Sequence, residues 1–341
     1  MKKNCLIING VFKTSKPDCF DSFDWNFYIL KNIYQNICLP NNTDVFMVID
    51  YDDNLLTKST KKKVINKISN IFGNNLKCIE IYSDNNLNLI NGFKFMTKII
   101  SNINYSIRDA DEIEIDNSDN LNLKNILDFD PQSFTNCKNL ADLSNIGIKL
   151  GFNSFGLYQY HKFFISLNKI KKYEKENNLT YDFICKTRMD LTLNEHFNFE
   201  SFVKPNNINY YYGFCDIIFV FNSYQINEIL KNEDKIGLYK KGIFKRKKIL
   251  DLYTSEILIS NYFKNSFNGV LVCPSKKIPL YHGSRWTFFY NTFKIRCFEN
   301  EEHFKLVYLN FKDYLENPLN SSIQKIIFKE MKELIENYLY T

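Results

Sequence analysis

Three short apolar runs alternate with helical spacing over the first 82 residues, and this rhythm constrains the fold more than any other feature. Residues 5–8 (C-L-I-I) end in Asn9-Gly10, 45–49 (V-F-M-V-I) form a second run and 76–82 a third, with helical patterns at 20–37 and 62–72 between them. Runs that are apolar throughout, instead of alternating with polar residues, suit strands buried on both faces. Strand, helix, strand, helix, strand at this spacing predicts parallel β-α-β units, so the expected class is α/β, with a mostly parallel sheet flanked by helices in a Rossmann-like layout. Ligands of such sheets bind at the carboxyl ends of the strands.

Residues 109–150 interrupt the rhythm with an acidic, Asn-rich stretch containing Asp109, Asp111, Glu112, Glu114, Asp116 and Asp119. The expectation is a long loop or insertion, either a lid or a surface excursion. Leu157, Tyr160, Phe164, Leu167 and Ile170 then recur at three- and four-residue intervals, a helical stripe stopped by Asn177-Asn178. A buried strand begins at 181–185 and runs into Lys186-Thr187-Arg188-Met189-Asp190-Leu191. Strands are expected at 208–212 and 215–221 with Gly213 between them, a helix near 224–230, a basic loop at 240–248, a helix over 249–263, and short strands at 269–273 and 278–281. Residues 1–298 make up the main domain, and the amphipathic pattern from Ile323 to Tyr338 makes 299–341 a C-terminal helical extension.

With 45% apolar residues in 341, the chain can bury a large core, which excludes a disordered or disulfide-stapled protein. A net charge of +6 spread over that length argues against nucleic acid as partner. Nine cysteines without a C-x-x-C pair read as buried apolar residues in a reducing compartment. The opening apolar run is too short for a signal peptide and no stretch is long enough to span a membrane, so the expected location is cytoplasmic, or peripheral to the membrane through 240–248. Only 5 of the 44 basic residues are Arg, and Asn, Ile, Phe and Tyr are abundant, which points to AT-rich codons. The Asn clusters are therefore read as base composition, and each Arg as informative.

Strand alternation sends Lys186, Arg188 and Asp190 to one face and Thr187 and Met189 to the other. Two cations and a carboxylate at the carboxyl end of a buried strand are costly without a charged ligand or partners. A phosphate-bearing ligand with a divalent ion suits them, and a salt-bridged strand end at the surface is the structural alternative. Asp50-Tyr51-Asp52 is a literal D-x-D, a second candidate metal site or otherwise a solvated loop or base-contacting edge. No P-loop pattern occurs, which removes the commonest kinases.

The segment Y-D-F-I-C-K-T-R-M-D-L resembles the hallmark strand of GT-A-type glycosyltransferases from bacterial surface-polysaccharide loci and large viruses, roughly Y-D-x-V-I-R-x-R-x-D-L. Tyr181, Asp182, Arg188, Asp190 and Leu191 match, and Lys186 stands where Arg is usual. The opening C-L-I-I-N-G-V-F-K is similar to the family's first strand and its Gly-containing turn, through Gly10 and Lys13, and G-F-C-D-I-I-F-V-F is similar to a later strand carrying Asp216. The run L-Y-H-G-S-R-W looks like a closing motif in which His282 completes a metal shell and Arg285 meets the diphosphate.

The resemblance implies a GT-A-like fold, a nucleotide-sugar donor, Mn²⁺ or Mg²⁺, and a hydroxyl acceptor on a glycan, lipid-linked or protein substrate. It assigns donor contacts to Gly10, Lys13, Lys186, Arg188 and Arg285, and the metal to Asp190 and His282, with Asp50 and Asp52 as alternative. Asp190, Asp216 and Glu256 are the candidate catalytic carboxylates. Two alternatives stand beside it: a binding protein of the same fold without catalysis, favoured by Lys186, and a metal-dependent nucleotidyltransferase.

Overall fold

A computed structural model describes residues 4–12, 22–51, 58–82, 87–110, 124–125, 127–150, 154–189, 192–193, 196–199, 210–214, 218–240, 255–267, 270–272 and 280–281. The first strand, β1 (Asn4–Phe12), leads to α1 (Ser22–Ile33), which continues through a π-helical turn (Tyr34–Cys38) and a last α turn (Leu39–Asn41). β2 (Thr43–Tyr51), α2 (Lys58–Phe72), β3 (Leu76–Tyr82) and α3 (Leu87–Arg108) follow. A 3₁₀ turn (Pro131–Asn136), α4 (Leu140–Leu150) and α5 (Ser154–Asn177) precede β4 (Phe183–Arg188) and the two-residue β5 (Thr192–Leu193). The remaining described elements are β6 (Tyr210–Phe214), β7 (Ile218–Asn222), α6 (Ile226–Lys231), α7 (Ser255–Phe267), β8 (Val270–Val272) and β9 (Leu280–Tyr281).

Seven strands form one sheet in the order β3-β2-β1-β4-β7-β6-β8, in which β7 alone runs antiparallel to its neighbours. The chain winds outward from β1 to β3, then returns to place β4 on the other side of β1. The order therefore reverses at β1, and the crevice at the carboxyl ends of β1 and β4 is the topological switch point where α/β sheets bind ligands.

Side-chain alternation divides the core between the two faces of the sheet. Ile7, Phe46, Ile184 and Phe219 meet α3, α5 and α7, and Leu6, Ile8, Met47 and Cys185 meet α1 and α2. Both faces are apolar because both are covered, which is why β1 and β2 read as continuous apolar runs, whereas the edge strand β3 carries Lys77 and Glu80. At Gly92 an added Cβ would fall inside the Tyr158 ring, so glycine is what lets α3 and α5 approach there.

Several boundaries differ from expectation. β1 does not stop at Asn9-Gly10 but continues to Phe12 in register with β2. Gly213 lies inside β6, paired with Phe219, and is not a turn. The expected loop over 109–150 is ordered structure for its described second half: Phe134 and Leu143 are fully buried against the α3–α5 side of the core. A 22-residue helix, α3, fills the interval after β3. Its signal is present in the sequence, as Leu89, Phe93, Met96, Ile100, Ile103 and Ile107 at helical intervals. The proposed extension, 299–341, lies outside the described residues. Among the described residues no helix is long and apolar enough to cross a membrane.

Candidate functional site

The carboxyl ends of β1, β2 and β4 place Asn9, Gly10, Asp50 and Arg188 along one rim, with Lys186 one layer below. Helix α5 lies across β1 and β2, and its inward stripe is polar at this rim, through Gln159, Lys162 and Ser166. Lys162 is almost fully enclosed. Its ammonium donates to the Gly10 carbonyl at 3.0 Å, pairs with the Asp50 carboxylate and lies 5.1 Å from the Tyr158 ring centroid. The Asn9 side-chain amide donates to the Val48 carbonyl and to Ser166 Oγ, each at 3.2 Å. A buried charge of this kind persists only where it is paired and hydrogen-bonded.

Lys186 points to the α5 side of the sheet, the face that alternation also gives to Arg188, but the two differ in depth. Lys186 is fully buried, donates to Gln159 Oε1 at 3.1 Å and lies 5.7 Å from the Phe219 ring centroid. It belongs to the layer beneath the rim. Arg188, half-buried at the carboxyl end of β4, is the more exposed of the two. Next in the chain, Met189 donates its N–H to the Asn9 carbonyl at 3.1 Å. Its side chain sits so close to Gly10 that a Cβ there would come within 2.9 Å of Met189 Cβ. Glycine at position 10 thus lets β4 close on β1 just where Arg188 emerges.

Asp50 departs from its expected place. It is neither a solvated loop residue nor an open metal ligand, but a buried strand residue facing Lys162. A divalent ion at that carboxylate would have to coexist with an ammonium in contact with it. Among the described residues no three His, Cys, Asp or Glu side chains converge on a point that would hold a metal. The other members of the candidate set lie outside the described residues: Lys13, Asp52, Asp190, Asp216, His282 and Arg285, as do 241–248 of the basic loop. Glu256 falls in α7, and only its backbone is described.

Described residues flanking two of the motifs pair with each other. β5 pairs with β9 in an antiparallel ribbon, Thr192 opposite Tyr281 and Leu193 opposite Leu280. The residue two beyond Asp190 is thereby joined to the residue preceding His282, although almost 90 positions separate them in the chain.

Asparagines from the end of α1 hold this segment, a role that sequence reading missed. Asn32 pairs with both backbone groups of Leu193: its amide donates to the Leu193 carbonyl at 2.9 Å, and Leu193 N–H donates to Asn32 Oδ1 at 2.8 Å. Asn36 adds a donor to the same carbonyl, and Asn41 binds the backbone of Phe197 and Phe199. In the π-helical turn the Asn36 carbonyl accepts the N–H of Phe197 at 2.8 Å, since the widened turn leaves a backbone acceptor for a neighbouring segment. The signal that could have found them is the i, i+4 spacing of Asn32 and Asn36 within an apolar helix.

Cysteine chemistry plays no part on the described surface of the rim. Burial pushes the Cys38 thiol up to about 12, and Cys5 and Cys185 are held well above the ordinary thiol range by burial first, with nearby carboxylates adding for Cys5. Such thiols stay protonated and unreactive. Tyr181, two residues ahead of β4, also serves the fold. Its hydroxyl donates to Asp44 at 2.8 Å, its ring packs edge-on against Phe46, and burial foremost raises its pKa far above that of an ordinary phenol.

A scan against family models matches none, and no curated protein matches the chain.

Proposed function

We propose that the chain is a GT-A-like glycosyltransferase, moving a sugar from a nucleotide-sugar donor to a hydroxyl on a glycan, lipid-linked or protein acceptor. The observation that carries this reading is the close approach of Gly10 to Met189 beside Arg188 at the carboxyl ends of β1 and β4, supported by the pairing of Thr192 with Tyr281 in the β5–β9 ribbon. The site also lies where the strand order reverses.

In this reading the donor diphosphate lies over the crevice between β1 and β4. Arg188, assisted by Lys13 and Arg285, binds phosphate oxygens and stabilises the charge that grows on the departing nucleoside diphosphate. The acceptor oxygen bonds to the anomeric carbon as the bond from that carbon to the phosphate oxygen breaks, and the hydroxyl proton passes to a carboxylate, Asp216 or Glu256. Asp190 and His282 are the residues assigned to Mn²⁺ or Mg²⁺, which when bound would offset diphosphate charge. Asp50 does not fit that role, because Lys162 already meets its carboxylate. The basic residues of 240–248 are assigned to an anionic acceptor or membrane surface.

A panel of nucleotide-sugars incubated with the protein, in Mn²⁺ and in EDTA, tests the reading. Release of free nucleoside diphosphate from one donor, lost with EDTA, is the expected result. Lys186 engaged with Gln159 favours the second reading, a binding protein without catalysis. Nucleotide binding with no release from any donor would establish that one instead.

A further inference from the structure

Lys162 is absent from every motif, yet it touches both strands that define the rim. Its ammonium holds the Gly10 carbonyl of β1 at 3.0 Å and the Asp50 carboxylate of β2, while its stem rises from α5 under the Tyr158 ring. The ring is seated in turn where Gly92 leaves room on α3. One buried cation thus links two strands and two helices at the switch point.

We propose that Lys162 is a positioning residue for the donor site, an inference that rests on the glycosyltransferase reading. It acts through Gly10. Gly10 is the position against which Met189 closes, and Met189 follows Arg188 directly. Fixing the Gly10 peptide therefore fixes the path by which Arg188 leaves the sheet, and with it the guanidinium that meets the diphosphate. Both the carbonyl and the carboxylate are strong acceptors, and an ammonium with three donors satisfies them together from one side. The arrangement also explains why a charge is kept here: burying a Lys–Asp pair contributes little net stability against an apolar pair of the same volume.

The decisive variant is Lys162→Met combined with Asp50→Leu, since removing both charges avoids leaving one of them buried and unpaired. It is expected to fold, with the circular dichroism of the parent and a Tm within a few degrees. UDP and GDP are titrated in Mn²⁺ and in EDTA, and donor KM and kcat are measured for whichever nucleotide-sugar turns over. The expected result is a dissociation constant and a donor KM raised about tenfold, the scale on which supporting residues act on a site, with a smaller change in kcat. The same factor is expected in both metal conditions. Should the double variant fail to fold, Lys162→Gln takes its place in the same comparison.

A folded variant with parental KM and affinity overturns the role of Lys162. So does a loss seen only with Mn²⁺, which would make Asp50 a metal ligand. Wild-type protein that binds no nucleotide overturns the donor reading itself, and the inference with it, an outcome distinct from the other two.

Discussion

Arg188 and Lys186 lie two residues apart on one strand face, and their different depths assign them different work. Lys186 is enclosed, and it meets the Gln159 oxygen and the Phe219 ring, so its removal falls on the fold. Lys186→Met should cost about 1–3 kcal/mol, the scale for leaving a buried acceptor without its donor, and calorimetry or thermal melts should register it. Arg188 is half-buried at the crevice, so Arg188→Ala should leave Tm nearly unchanged and weaken nucleotide binding about tenfold or more, as loss of a charge-assisted pair with phosphate would. Equal effects of the two substitutions on both measurements would merge the two roles. Depth is also where sequence reading stopped. Alternation gave the shared face, whereas which cation is enclosed depends on Gln159, 27 positions upstream on α5, and no spacing rule within the strand reports that.

At the scale of elements, α1 and the turns that follow it act as a backbone clamp. Asn32 replaces a missing strand partner for Leu193 by bonding both its N–H and its carbonyl, and Asn41 does similar work at Phe197 and Phe199. Asn32→Ala would orphan the buried Leu193 N–H, at roughly 1–3 kcal/mol, while Asn36 still donates to the Leu193 carbonyl. Limited proteolysis or hydrogen exchange should show the 192–199 segment opening while α3 and α5 keep their protection. Parental protection at Leu193 in the variant would deny the clamp. These side chains were hidden in the sequence by abundance: where Asn is common for reasons of base composition, three buried ones do not stand out. The β-α-β rhythm was legible because it is local, carried most clearly by β1 and β2, whose burial on both faces leaves no polar alternation in 5–8 and 45–49. The ribbon of β5 with β9 was not, since it joins residues almost 90 apart through two pairs only.

Over the whole molecule, the two ends of the sheet carry opposite chemistry in the same currency of lysines. At the amino end of β4 a cavity of about 730 Å³ is lined by Lys171, Lys172, Lys175 and Thr180. Two of those lysines are already answered by acids of their own helix, Lys171 by Glu174 at 3.1 Å and Lys172 by Glu176 at 3.7 Å, so the positive charge there is locally offset. Their place in the last turns of α5 also suits the negative end of the helix dipole, which accounts for them without a ligand. At the carboxyl end the charges are tied instead to strand ends and backbone: Lys162 to Gly10 and Asp50, Lys186 to the α5 amide. A phosphate-bearing ligand should therefore protect one end alone. Hydrogen exchange with and without the nucleotide that the donor panel identifies should slow amides at Asn9–Phe12, at Thr187–Met189 and in β5, and leave the segment from Lys171 to Thr180 unchanged. The protection should shrink in Arg188→Ala, because the bound phosphate and not a general tightening of the sheet produces it. Protection centred on the Lys171–Thr180 cavity would move the ligand to the opposite end of the sheet, and the glycosyltransferase reading would not survive that result.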